Sequence, residues 1–144
     1  MKYALLGLML VAAPAFSQVE IENPWARATA PGAKTAAGYM VIRNRSASPD
    51  RLVRAESPVA ARVETHVHIK EGDVLRMREV KGLDIPANAS LELKPGGAHL
   101  MFMDIRRPFR EGETIPVTLE FESASTIKVE LHVGRLGAPA HPKH

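Results

Sequence analysis

The chain has 144 residues, with 19 Lys+Arg against 16 Asp+Glu and a formal charge of +3 at pH 7. That length suits one domain, which at this size buries about two-thirds of its unfolded surface and needs no covalent or metal staple to fold. Zero cysteines exclude a disulfide framework, thiolate metal sites and cysteine nucleophiles, and the small, well-mixed charge offers nucleic acid no concentrated basic face.

Met1-Lys2-Tyr3 precedes an uncharged apolar run over residues 4–13. The run is too short to span a bilayer as a helix, which takes about 20 apolar residues. It ends in Ala15-Phe16-Ser17, a small-x-small cleavage site before Gln18, with Ala13-Pro14-Ala15 as a second candidate. Residues 1–17 therefore read as a secretory signal peptide. The expected product is exported, carries no membrane span and divides into a domain over 18–136 and a flexible tail over 137–144.

Within that domain, short runs of period-two alternation lie between closely spaced Gly and Pro residues. They cover 18–21, 36–43, 51–55, 63–69, 74–80, 90–93, 98–105, 115–121 and 126–133, and each predicts a half-buried strand. The last is the clearest: Ile127, Val129, Leu131 and Val133 share one face, while Lys128, Glu130 and His132 share the other. Glu71-Gly72-Asp73, Lys94-Pro95-Gly96-Gly97 and Glu111-Gly112-Glu113 are the plainest turns. No run of ten or more residues carries a 3.6-residue apolar period. This pattern predicts an all-β antiparallel sandwich or small barrel.

The usual catalytic motifs are missing: no G-x-S-x-G, H-E-x-x-H, phosphate-binding loop or dinucleotide fingerprint occurs. The reading is accordingly not an enzyme. What stands out is histidine and methionine. In 98–105, Leu100 and Phe102 are the natural core residues, which turns His99, Met101 and Met103 to the opposite face. In 63–69, Val63, Val67 and Ile69 share one face and leave Glu64, His66 and His68 on the other. If Glu71-Gly72 is a two-residue hairpin loop, Lys70 pairs with Asp73 and His66 with Met77. An imidazole and a thioether then converge, and His99 with Met101 supplies a second such pair.

Two neutral thioethers favour Cu(I) over harder ions, and imidazole also suits copper; zinc sites rarely use methionine. Each residue also has an ordinary role open to it. Met101 and Met103 can fill core gaps, Met40 lies among Tyr39, Val41 and Ile42, and His66, His68, His99 and His132 can be hydrogen-bonded or solvated histidines. It is the convergence of like chemistry from separate segments that favours copper.

His66 is followed by ten residues, Met77, twenty-one residues, His99, Leu100 and Met101. This H-x10-M-x21-H-x-M spacing resembles the periplasmic copper chaperones of the PCuAC type, associated with the CuA centre of cytochrome c oxidase. Trp25-Ala26-Arg27-Ala28, Pro31-Gly32-Ala33, Ala37-Gly38-Tyr39 and Leu93-Lys94-Pro95-Gly96-Gly97 extend the resemblance over nearly all of 18–134. It implies a cupredoxin-like antiparallel Greek-key barrel, a periplasmic location, and one exposed Cu(I) held by His66, Met77, His99 and Met101. It also implies subunit II of the oxidase, through its CuA site, as acceptor, with a thiol-containing copper-assembly protein as a further partner. Members often carry Met soon after the first His, where this chain has Val67 and His68. His68 and Met103 are therefore auxiliary candidates, and His141 and His144 in the tail are candidates for a weaker second site for Cu(II).

Two other classes compete with a copper chaperone. A copper-storage or electron-transfer protein of cupredoxin type is one, though blue-copper sites use a thiolate that is missing here. The other is an exported β-sandwich binding module without metal.

Overall fold

The computed structural model describes residues 18–135, together with Gly7. The proposed signal peptide, Gly7 apart, and the tail with His141 and His144 lie outside the described residues. The alternation read along the chain becomes ten strands: β1 (Val19–Arg27), β2 (Thr35–Asn44), β3 (Asp50–Glu56), β4 (Ala60–Glu71), β5 (Val74–Val80), β6 (Leu83–Ile85), β7 (Ser90–Leu93), β8 (His99–Ile105), β9 (Thr114–Phe121) and β10 (Ile127–Gly134). No helix long and apolar enough to cross a membrane occurs among the described residues.

The strands run in the order β5-β4-β8-β2-β1-β10-β9-β3-β6, and an added β3–β4 pairing closes the path from β4 to β3 into a barrel. All pairings are antiparallel except β1 with β10, which is parallel and makes the barrel mixed. Ile115, Val117, Leu119 and Phe121 of β9 and Leu131 and Val133 of β10 point inward, as their alternation predicts. They meet Leu100, Phe102, Met40, Ile42 and Leu52 in one core, where Phe102 packs edge-on against Phe109. Gly38 allows β2 to approach this core closely: a Cβ there would stand 2.7 Å from Leu131 Cδ2 and 2.9 Å from Phe102 Cε2.

Two departures from the sequence pattern have local causes. β1 runs on to Arg27 through a bulge between Glu22 and Trp25, where Asn23 has φ 48°. Pro24 lacks the N–H a regular ladder needs, so Asn23-Pro24 reads as a stop but is a bulge. β6 has only three residues, too few to display alternation.

Two features position the outer face discussed next. β7 and β8 both pair with β2, which receives β8 along Thr35–Gly38 and β7 along Met40–Arg43. The turn at 94–97 between them is held by Gly97 N–H donating to the Lys94 carbonyl. β4 is longer than β8 requires. Its pairing with β8 ends at His66–His99, while its pairing with β5 continues to Glu71–Val74. The β4–β5 hairpin thus projects past the start of β8 as a two-stranded ribbon.

Candidate metal centre

Directly opposed residues in an antiparallel pair share a sheet face. β4 and β8 oppose Arg62 with Met103, Glu64 with Met101, and His66 with His99. β4 and β5 oppose His66 with Glu79 and His68 with Met77. All the His and Met candidates of these three strands therefore stand on one outer face, as the alternation required. Leu100 and Phe102 are fully buried on the inner one.

The hairpin register differs from the expected one. The loop is Gly72-Asp73, not Glu71-Gly72, so Glu71 pairs with Val74 and Met77 lies across from His68 instead of His66. A tight hairpin favours glycine at a first central position with positive φ, and Gly72 has φ 62° there. The alternative loop would have put Glu71 in that position. The shift is two residues, so faces are preserved while partners change. Met77 becomes a diagonal neighbour of His66, still within reach of a long side chain.

His99 is only 3% exposed, although it belongs to the outer face. The rings of His68, His66 and Tyr39 surround it, with centroids 5.5, 5.7 and 6.3 Å away. Burial lowers its pKa below the usual histidine range; nearby His66 and His68 add to this, and the hydrogen bond to Gly97 opposes it. Its Nδ1 lies 3.0 Å from the Gly97 carbonyl oxygen. A carbonyl only accepts, so Nδ1 carries the proton and Nε2 is left with its lone pair.

His66 has the complementary arrangement. Its Nε2 lies 2.7 Å from Glu64 Oε2, and its Nδ1 is buried with no hydrogen-bond partner. Glu64 also accepts from Arg62 Nε at 2.7 Å. Hydrogen bonds from Arg62 and then His66 hold the Glu64 carboxyl below its usual range. The ionised carboxylate keeps the His66 proton on Nε2 and leaves Nδ1 as an acceptor. A buried acceptor without a partner is costly unless something binds it, and a metal-ligating imidazole commonly has its other nitrogen fixed by a carboxylate or carbonyl. Both histidines show that pattern.

The thioethers flank these imidazoles. Met101 is half-buried at the rim of a cleft of about 270 Å³ also lined by Arg27, Thr35, Ala37 and Tyr39. Met77 is 49% exposed on β5. Met103 faces Arg62 and Thr35, one row further from the imidazoles. His132 is exposed on β10 beside Trp25, outside this face. Among the described residues no group of three or more His, Asp or Glu side chains is gathered tightly enough to enclose an ion. The donor set offered here is the mixed one of imidazole and thioether. Sequence reasoning placed Glu64 on the right face but gave it no role; its signal was the Arg62-x-Glu64-x-His66 spacing.

Residues 19–133 match the family described as "Putative lipoprotein LpqE-like". The chain belongs to the LpqE-like family. It is 33% identical over 116 residues to "Putative lipoprotein Lxx21020" of Leifsonia xyli subsp. xyli, covering 80% of this chain and 69% of that protein. Among solved structures, this LpqE-like chain is similar to the copper-bound PCuAC domain from PmoF2, at 27% identity and TM-score 0.72, over 84% of this chain and 96% of that one. It is also similar to the Cu(I) form of DR1885 from Deinococcus radiodurans, at 30% identity and TM-score 0.63, over 87% and 81%. The PCuAC resemblance drawn from the motif and the cupredoxin-like barrel it implies both hold.

Proposed function

We propose that this LpqE-like chain is a periplasmic Cu(I) carrier that binds one ion through His66, His99, Met77 and Met101. It delivers that ion by ligand exchange to the CuA site of cytochrome c oxidase subunit II, with a thiol-containing assembly protein as a further partner. The observation that carries the reading is the pair of prepared lone pairs. His66 Nδ1 is buried without a partner, and His99 Nε2 is freed by the Gly97 hydrogen bond, on the face that also holds Met77 and Met101. Two imidazoles with two thioethers suit a soft monovalent copper ion. The copper-bound PmoF2 domain and the Cu(I) form of DR1885 support the metal, and the lipoprotein name of the Leifsonia relative supports export.

His99 is deeply held, while Met77 is on an edge strand and half exposed. An incoming acceptor ligand displaces Met77 first and the buried imidazole last, so copper need never leave coordination. Ile69, Val74 and Leu75 are also exposed on the ribbon that carries Met77, providing apolar contact area beside the ion. The test is anaerobic Cu(I) titration followed by mixing with the apo CuA domain of subunit II. One tightly bound Cu(I) per chain, with Zn²⁺ much weaker, and copper recovered on the acceptor are expected. Copper that stays on the chain would overturn the delivery step; no stoichiometric Cu(I) would overturn the carrier.

A further inference from the structure

We propose that the cleft beside Met101 binds a single carboxylate group carried on a short apolar stem, with Arg27 as its cation. Neither a metal nor the carrier reading is needed for this, since Arg27 takes no part in the proposed copper site.

Arg27 ends β1 on the outer face, and the sheet gives it no acidic neighbour. Across the parallel pairing with β10 stands Gly134, which has no side chain. On the other side β1 pairs with β2 as far as Ala26–Gly38, so Ala37 comes next, and Ala37 stands opposite Met101. Beyond Met101 is Glu64, three strands and about 14 Å from Arg27 at the usual strand spacing. That carboxylate is already bonded to Arg62 and His66. No ion pair among the described residues includes Arg27. Its Nε is buried without a hydrogen-bond partner. A buried donor left unpaired is costly, and more so in a charged group.

The cleft suits one small occupant. Its volume of about 270 Å³ is just below the roughly 300 Å³ at which pockets for drug-sized ligands begin. Five alanines, Ala28, Ala30, Ala33, Ala36 and Ala37, give it apolar walls, beside Tyr39 and Met101. Burial raises the Tyr39 pKa, and the Arg27 charge opposes that rise, so guanidinium and phenol stand close together. Thr29, also on the wall, accepts the Phe109 N–H at 3.0 Å and keeps its own hydroxyl proton to donate. A guanidinium presents its donors as a planar fork that matches the two oxygens of a carboxylate. One cation among small apolar side chains selects one carboxylate on a short hydrocarbon stem; a second carboxylate would find no partner there. A free short-chain acid and a glutamate side chain of another protein both carry that group.

The experiment uses the full chain without metal, labelled with nitrogen-15, and follows the Arg27 Nε–H signal by NMR. Sodium butyrate, disodium succinate and a capped Gly-Glu-Gly peptide are the probes, with sodium chloride at matched ionic strength as the control. Butyrate and the peptide should each shift the Arg27 signal saturably, succinate more weakly, and chloride hardly at all. Arg27→Gln, followed through the backbone signals of residues 28–30 and 35–37 around the cleft, should weaken butyrate binding about tenfold or more. Arg27→Lys keeps the charge without the fork, so its affinity should fall between the two. Circular dichroism checks that both variants keep the fold. Tighter binding of butyrate than of the peptide assigns the site to a free acid, and the reverse assigns it to a protein side chain. The site is overturned by the lack of any saturable shift, by a chloride response equal to that of the carboxylates, or by a butyrate affinity unchanged in both variants.

Discussion

Replacing Glu64 by Gln tests whether the outer face is prepared for a metal or merely polar. In the native chain Glu64 accepts two hydrogen bonds, one from Arg62 and one from His66, each 2.7 Å long. The side chains of Glu64 and His66 are 14% and 13% exposed, so solvent cannot readily substitute for the bond between them. Glutamine keeps the shape but offers one oxygen and one NH2 group. If the oxygen remains with Arg62, the NH2 group faces His66 Nε2 and can only donate to it. The imidazole proton then moves to Nδ1, the nitrogen that the proposed carrier site gives to the metal. Losing such an orienting partner typically costs about 10- to 100-fold in metal affinity, equivalent to about 1.4–2.8 kcal/mol.

The assay is anaerobic competition for Cu(I), paired with nitrogen NMR of the apo protein to read the His66 tautomer. Arg62→Gln is the control, because Arg62 is 57% exposed and bonds Glu64 without an observed bond to His66. Its effect on Cu(I) affinity should be small. A Glu64→Gln variant whose tautomer changes while Cu(I) affinity does not would remove His66 Nδ1 from the coordination sphere. A loss of equal size in both variants would mean that charge on this face, not the tautomer, governs binding.

Met101→Leu conserves approximate volume and should change apo stability by less than about 1.5 kcal/mol, yet reduce Cu(I) affinity about tenfold or more. Met103→Leu, in the row of Arg62 and Thr35, should leave affinity nearly unchanged in the same titration. Gly38→Ala should destabilise the fold by about 1–3 kcal/mol in urea denaturation, because its Cβ would press on Leu131 and Phe102. Because burial lowers the His99 pKa from 6.5, the unfolded chain binds that proton more readily, and apo stability should fall as pH drops through about 6.5. Thermal melts from pH 7.5 to 5.5 should show this decline, and His99→Gln should flatten it.

The barrel was legible where burial enforces alternation. Ile115 to Phe121 and Ile127 to Val133 each had one face to hide, and the structure buries all of the first face and Leu131 and Val133 of the second, with Ile127 and Val129 partly covered. The face carrying His66, His68, His99, Met101 and Met103 was legible for the same reason, since Val63, Val67, Leu100 and Phe102 took the other side. Which of these residues stand opposite each other was less legible. That depends on a single glycine's conformation at the hairpin, and a loop displaced by one residue exchanges His66 for His68 as the partner of Met77. The burial of His99 was hidden too, because its cover comes from Tyr39 on β2 and from His66 and His68 on β4. The orienting groups were the least visible: the Gly97 carbonyl reaches His99 only because a turn of the right shape separates β7 from β8.

In the carrier role proposed above, the projecting ribbon lets one small barrel both hold an ion and release it. His99 and Met101 are on a strand flanked by β4 and β2, so their positions are fixed by two ladders. His68 and Met77 are on the hairpin, where β4 has passed the end of β8 and β5 is the sheet edge. A segment with few packed contacts opens at lower free energy than the core it joins. On the carrier reading, binding couples His99 and Met101, held between two ladders, to Met77 on the sheet edge, whose exchange sets the release rate. Stiffening the ribbon should slow copper release more than it tightens binding. Substituting Asp73 by Gly, which loosens the turn, should do the reverse: release to a Cu(I) chelator should accelerate while equilibrium affinity changes little. Stopped-flow transfer measures the first and competition titration the second. Equal changes in rate and affinity would show that the hairpin holds the ion as firmly as the barrel does.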